Sequence, residues 1–193
     1  MNPMDQAKAA NFTANRYDRV AMTLHWIVAA FVIFVGTLGL AFDFIPRASR
    51  PFWINIHTIV GLVMFGFILM RALWRMAHPA PPPNPGWSRL IVVSSHITHM
   101  ALYALMLVVP VIGIVAYVWH GRVFDYGLFR LDFGVASQKS VYEPAEEMHQ
   151  LGAYVLMALV AFHVVGALWH HFIARDGIFA RILPLRQRGL ELP

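Results

Sequence analysis

Cysteine is absent from the 193 residues, which excludes thiolate-bound iron–sulfur clusters, cysteine-type zinc sites, disulfide scaffolds and covalently attached c-type haem. Charge is scarce: Lys, Arg, Asp and Glu make up 13% of the chain, against roughly 25% in an average soluble domain. So few charges cannot cover the surface of an ordinary soluble enzyme. With hydrophobic residues at 59%, a disordered chain is excluded as well. No run of alternating apolar and polar residues suggests a transmembrane barrel. What is left is an integral membrane protein built from helices.

The charges that exist leave four windows without Asp, Glu, Lys or Arg, at 20–42, 51–70, 90–121 and 148–174. Each is long enough for the roughly 20 apolar residues that cross a hydrocarbon core of about 30 Å. Lipid cannot satisfy backbone polar groups, so each crossing must be a helix. The expected fold is therefore an all-α integral membrane protein, a four-transmembrane-helix bundle forming a single membrane domain over 1–193. Its helices are expected at approximately 17–43, 51–76, 90–119 and 144–174. The first 19 residues have no apolar core, so window 20–42 reads as a retained anchor and not as a signal segment. The third window exceeds what a span needs and is expected to run into an interfacial segment beyond Pro110 and Gly113. Pro144, with Glu146 and Glu147 behind it, is expected at the first position of the fourth helix. The five prolines of 78–86 predict a stiff, extended connection between helices two and three.

Lys and Arg set the orientation. The N-terminus, the 71–89 connection and the C-terminus share one side of a four-span chain, and hold Lys8, Arg16, Arg19, Arg71, Arg75, Arg89, Arg175, Arg181, Arg186 and Arg188. The other side holds only Arg47, Arg50, Arg122, Arg130 and Lys139. Both termini are expected to be cytoplasmic. The sequence pI of about 10.0 then reflects topology and gives no reason to invoke nucleic acid.

Against this apolar background the chain carries ten histidines. Ionisable residues inside a membrane are costly and mark functional sites. His149 and His163 lie 14 residues apart on the fourth helix, on one face and about 21 Å apart along the axis. His25 lies near the inner end of helix one and His57 near the outer end of helix two. The natural pairs are His25 with His163 inside and His57 with His149 outside. The depths of both pairs agree if helix four sits five or six residues further inward than its charge-free window suggests. Two stacked pairs of facing imidazoles suit two b-type haems closed by histidine on both sides. Gly36, Gly39, Gly61, Gly152 and Gly166 recur beside these histidines, where they make room either for a flat cofactor or for close helix packing. Arg71, 14 residues after His57 on the same face, either pairs with a propionate of the inner haem or snorkels to the headgroups.

At these residues the chain resembles the bacterial cytochrome b561 family of four-helix, two-haem membrane cytochromes. The resemblance rests on Tyr17-Asp-Arg-Val-Ala-Met-Thr-Leu-His25-Trp26, Ile54-Asn-Ile-His57-Thr-Ile-Val-Gly61 and Glu147-Met-His149-Gln-Leu-Gly-Ala-Tyr154. Phe162-His163-Val-Val-Gly-Ala-Leu-Trp-His170-His171-Phe-Ile-Ala-Arg-Asp176, running on to Arg181-Ile-Leu-Pro184, extends it over roughly residues 16–184. Helix three adds His96-Ile-Thr-His99 and Leu107-Val-Val-Pro110-Val-Ile-Gly113. The resemblance implies two haem b groups, with His25, His57, His149 and His163 as iron ligands, in a bacterial inner membrane. It also implies ubiquinone as electron acceptor, and superoxide or a redox partner protein as donor.

Two functions share these ligands. One is electron transfer from superoxide to ubiquinone, a superoxide:quinone oxidoreductase. The other is a cytochrome b subunit linking a separate dehydrogenase or hydrogenase to the quinone pool. A histidine-lined metal or proton transporter would place carboxylates within the spans, and the four windows contain none. His96 and His99, on the same side as His25, are candidate competing ligands and read as propionate or quinone contacts, or otherwise as packing and interfacial residues. His170 and His171 read as headgroup contacts or a quinone site, Trp26 and Trp169 as interfacial aromatics, and His78 and His120 as loop residues.

Overall fold

The computed structural model describes residues 16–83, 86–125, 127 and 130–183. The 1–15 extension, Lys8, Pro184, Arg186 and Arg188, and Asn84 and Pro85 of the proline-rich connection lie outside the described residues. Four helices dominate: α1 (Arg19–Leu40), α2 (Arg50–Ala77), α3 (Arg89–Trp119) and α4 (Lys139–Trp169). All four are long and apolar enough to cross a membrane. Three of them begin where local chemistry favours a start. Asp18 caps α1 by accepting from the Ala21 amide at 2.8 Å, Ser88 caps α3 through the Ile91 amide at 3.4 Å, and Pro51 occupies the first turn of α2.

Two helix limits differ from the sequence expectation. Pro110 lies inside α3, which continues unbroken to Trp119, so no separate interfacial segment follows Gly113. A proline forfeits one backbone hydrogen bond, and the apolar turns on either side of it carry the helix through. Pro144 likewise lies inside α4, which begins at Lys139. The extra turn is held by Val141 and Tyr142 amides on the Gln138 carbonyl, each at 3.0 Å, and by the Lys139–Glu143 ion pair at 3.2 Å. Beyond Trp169 the helix widens into a π-helical turn, His170–Ala174, closed by Arg175 in the left-handed region at φ 49°.

α1 packs along α2 and α3 along α4, with α2–α3 and α1–α4 contacts closing the bundle. Glycines permit the approach at two points. A Cβ on Gly152 of α4 would stand 2.8 Å from Val109 Cγ2 of α3, and one on Gly36 of α1 would meet the Met157 sulfur of α4. Val28, Val32 and Val35 of α1, Met64 and Ile68 of α2, Leu102 and Met106 of α3, and Leu156 of α4 form the buried core. On α4 Leu156 falls between His149 and His163, and on α1, α2 and α3 the core residues follow His25, His57 and His99 toward the middle of the bundle, so the core is an apolar slab separating two polar layers.

The inner end is tied by three chain segments. Arg16 donates to the Leu183 carbonyl, Trp26 Nε1 donates to Ile182 O at 3.0 Å, and Arg181 donates to Pro82 O at 2.8 Å. Trp74 Nε1 reaches the capping carboxylate of Asp18 at 3.1 Å. At the outer end a short antiparallel hairpin pairs Phe124 with Leu131 and Asp125 with Arg130. It rests on α2 through Asn55 Nδ2 to Asp125 O at 3.3 Å.

Candidate haem centres

The four helices bring the histidines together in two layers. In the outer layer the rings of His57 (α2) and His149 (α4) have centres 6.1 Å apart and planes at 89°. In the inner layer His25 (α1) and His163 (α4) stand 6.5 Å apart at 79°. Imidazole nitrogen bonds a metal at about 2.0 Å and lies about 1 Å from its ring centre, so two rings closing on one ion from opposite sides have centres about 6 Å apart. Both pairs have this spacing, and all four side chains are half-buried.

The outer pair is built to present nitrogen lone pairs. His149 Nδ1–H donates to the Val109 carbonyl at 2.9 Å, which leaves Nε2 unprotonated and fixes the ring, as the second shell of a metal-bound histidine does. Gly113, one turn beyond Val109, completes the seat: a Cβ there would lie 2.8 Å from the His149 ring. The His57 ring lies against Gly39, 3.1 Å from the position of a Cβ, and Phe42 covers it edge-on at 5.4 Å. His57 Nδ1 is buried without a well-formed hydrogen bond, although the Val35 carbonyl faces the ring. Donation from Nδ1 to that carbonyl would leave Nε2 for a metal, as on His149.

The glycines expected around the histidines divide. Gly39 borders a histidine ring, Gly36 and Gly152 mediate helix packing, Gly61 makes only ordinary contact with Val35, and Gly166 faces open space. Gly113 and the Val109 carbonyl, which hold His149, have no signal in the sequence near that histidine, since they lie on another helix.

The inner layer is richer in polar groups. Arg71 of α2 donates from Nη1 to His25 Nδ1 at 2.7 Å and from Nε to the Tyr103 hydroxyl at 3.0 Å. Its guanidinium lies over the Tyr103 ring at 5.5 Å. Among the described residues no carboxylate pairs with Arg71, so its charge meets only neutral groups. That donor set fits an anionic group brought by a cofactor, such as a haem propionate. Ligation through His25 Nε2 requires Nδ1 to carry the proton, and two donors cannot face each other. Were His25 to bind a metal through Nε2, the Nη1 arm would leave Nδ1 and become available to a carboxylate.

His99 also stands in this layer, 5.2 Å from the His163 ring, with Nδ1 donating to the Ser95 carbonyl at 2.6 Å. That separation is too short for a metal held between the two rings and matches edge-to-face packing. His96 is exposed on the same helix. His170 does not face the layer, because its Nδ1 is bonded to Asp176 Oδ2 at 2.5 Å, and His171 packs on Phe172 and Phe179. His78 stacks on Trp74 at 4.0 Å, and His120 lies tilted against Tyr142 at 4.4 Å.

Several known proteins are similar to this chain over most of its length. The probable superoxide oxidase CybB of Yersinia pestis is 27% identical over 180 residues, covering 90% of this chain and 98% of the relative. Cytochrome b561 homolog 2 of Escherichia coli (strain K12) is 26% identical over 176 residues, covering 89% and 93%. Cytochrome b562 of Cereibacter sphaeroides is 28% identical over 175 residues, covering 86% and 94%. The family model for prokaryotic cytochrome b561 matches residues 16–185, a stretch that takes in all four helices and both histidine layers. The chain belongs to the prokaryotic cytochrome b561 family, and is a membrane b-type cytochrome of electron transport.

Proposed function

We propose that this cytochrome carries electrons across the bacterial inner membrane from superoxide at its outer face to ubiquinone, with His57 and His149 holding one haem b and His25 and His163 the other. The observation that carries the reading is the pair of histidine layers, each with the ring spacing of a doubly ligated iron. When bound, two haems supply one-electron carriers at two depths of the membrane. The reaction balances as two superoxide anions giving two O₂ and two electrons, which one ubiquinone takes up with two protons to form ubiquinol.

The chain's own residues define the rest. Both histidine pairs are closed to a further ligand, so a donor delivers its electron without binding iron. A small anion suits this, and the outer face offers cations of unequal availability. Lys139 is paired with Glu143 at 3.2 Å, Arg130 stands opposite Asp125 in the hairpin, and Arg122 lies over Tyr117 at 5.8 Å. Arg50 differs, being half-buried at the start of α2, seven residues before His57 and so on nearly the same helix face. Its Nη2 donates to Ile45 O at 3.4 Å while Nε is buried without a partner. The excess of Lys and Arg on the opposite side supports cytoplasmic termini.

The test uses the purified full chain. A sharp reduced α band with about two haems per chain is expected on adding dithionite. Stopped-flow mixing with superoxide, with excess ubiquinone present, is expected to reduce the haems faster than superoxide dismutates and more slowly as salt rises. Reduction no faster than dismutation excludes superoxide as donor. Together with co-purification of a larger soluble protein, it would move the assignment to the cytochrome subunit of a dehydrogenase or hydrogenase.

A further inference from the structure

The inner layer contains one residue whose position the ligand set does not explain. Tyr103 lies on α3, half-buried against the central core, and touches neither His25 nor His163 by any hydrogen bond or ring contact among the described residues. Its contacts are with Arg71. The hydroxyl accepts from Nε at 3.0 Å, and the ring face lies beneath the guanidinium carbon at 5.5 Å. One side chain thus fixes both the direction and the position of the cation.

This matters because Arg71 has somewhere else to go. It lies about a turn and a half from the end of α2, and a long cationic side chain so placed lowers its energy by snorkelling to the aqueous boundary. Holding it inward instead costs side-chain entropy and desolvation, and no carboxylate among the described residues offsets that cost. Tyr103 offsets it with a hydrogen bond and a cation–π contact in a low-dielectric setting. The Nε bond also leaves both Nη groups unused by the tyrosine, with Nη1 on His25, so the guanidinium can exchange His25 Nδ1 for an anionic group without releasing Tyr103.

We propose that Tyr103 is a positioning residue: it holds the Arg71 guanidinium against the inner histidine pair and thereby raises the reduction potential of the inner haem. The proposal rests on the reading that His25 and His163 hold a haem. A fixed positive charge beside an iron disfavours the oxidised, more positive state. Releasing that charge toward water lowers the midpoint of that iron and leaves the other, about 21 Å away along the helix, nearly untouched.

The experiment is a redox titration of purified full-length Tyr103→Phe, followed by haem absorbance, with haem content counted by pyridine haemochrome. Phenylalanine keeps the ring under the guanidinium and removes only the acceptor. Two haems per chain are expected, with the inner midpoint shifted downward, the outer midpoint unmoved, and a smaller shift than in Arg71→Leu. In the Arg71→Leu background, Tyr103→Phe is expected to add no further shift, an outcome that a purely structural tyrosine does not produce. Arg71→Lys keeps the charge but lacks the Nε fork; it is expected to lower the same midpoint, and carries the test should Tyr103→Phe fail to accumulate. Two haems with unchanged midpoints, or equal shifts with and without Arg71, overturn the role of Tyr103. Fewer than two haems in the unmodified chain, or an inner haem that survives His25→Leu, overturns instead the ligand assignment beneath it.

Discussion

His57 and His149 face each other across the outer half of the bundle with ring centres 6.1 Å apart and planes nearly perpendicular, at 89°. His25 and His163 repeat the relationship inside, at 6.5 Å, and the apolar core lies between. Replacing His57 or His149 by Leu is expected to remove the outer haem alone, and replacing His25 or His163 the inner haem alone. Pyridine haemochrome assay of the four variants should give about one haem per chain, with two distinguishable spectra dividing them into those pairs. Any other division refutes the pairing.

Arg71→Leu is expected to retain both haems and lower the inner midpoint. The sign follows from charge: a nearby cation destabilises ferric relative to ferrous iron, so its loss favours the oxidised form. A unit charge at about 8 Å with an effective dielectric constant of about 20 contributes about 2 kcal/mol, or roughly 90 mV for one electron. Potentiometric titration in which only the outer haem moves would contradict the placement of Arg71.

Gly113→Ala tests how His149 is seated. The added methyl would stand 2.8 Å from the ring, and relieving such an overlap costs about 1–3 kcal/mol. Partial loss of the outer haem on purification is expected, or a shift in its spectrum, with the inner haem unaffected. Gly166→Ala is the control, since its Cβ would meet nothing within 4 Å. Equal haem content and spectra in the two variants would show that Gly113 does not hold the ring.

Arg50→Gln addresses donor entry. Arg50 is half-buried near the His57 face of α2, whereas Lys139 is already paired with Glu143. Reduction by superoxide is therefore expected to slow on the order of 3- to 10-fold in Arg50→Gln, with a shallower dependence on salt. Lys139→Gln should change little. The rates come from the same stopped-flow assay, and an effect confined to Lys139→Gln would relocate the entry point.

The four spans, and the alternation of their connections between the two ends of the bundle, were determined by the sequence alone, because they depend on one-dimensional properties. A charge-free run of sufficient length has to be helical in lipid, and the fixed rotation and rise of a helix place His149 and His163 on one face. Helix limits were legible only where hydrophobicity and capping agree. Pro144 marks a start in isolation, yet the Lys139–Glu143 pair and the amides on Gln138 carry α4 one turn further out.

What the tertiary structure decided is everything that joins one helix to another. His99 and His25 lie at comparable depth, and sequence spacing favours His25 as the partner of His163 without excluding His99 as a competitor. Only the packing of α1, α3 and α4 leaves His25 at a metal-spanning distance from His163 and His99 too close. The glycines beside the histidines are alike in sequence, but Gly39 meets a ring while Gly36 and Gly152 meet other helices. Every residue carries a carbonyl like that of Val109, and Tyr103 is one aromatic among many. Each acquires its role from a neighbour 40 and 32 residues away in the chain. Such contacts depend on the azimuth and depth at which two helices meet, and side chains from both set those values.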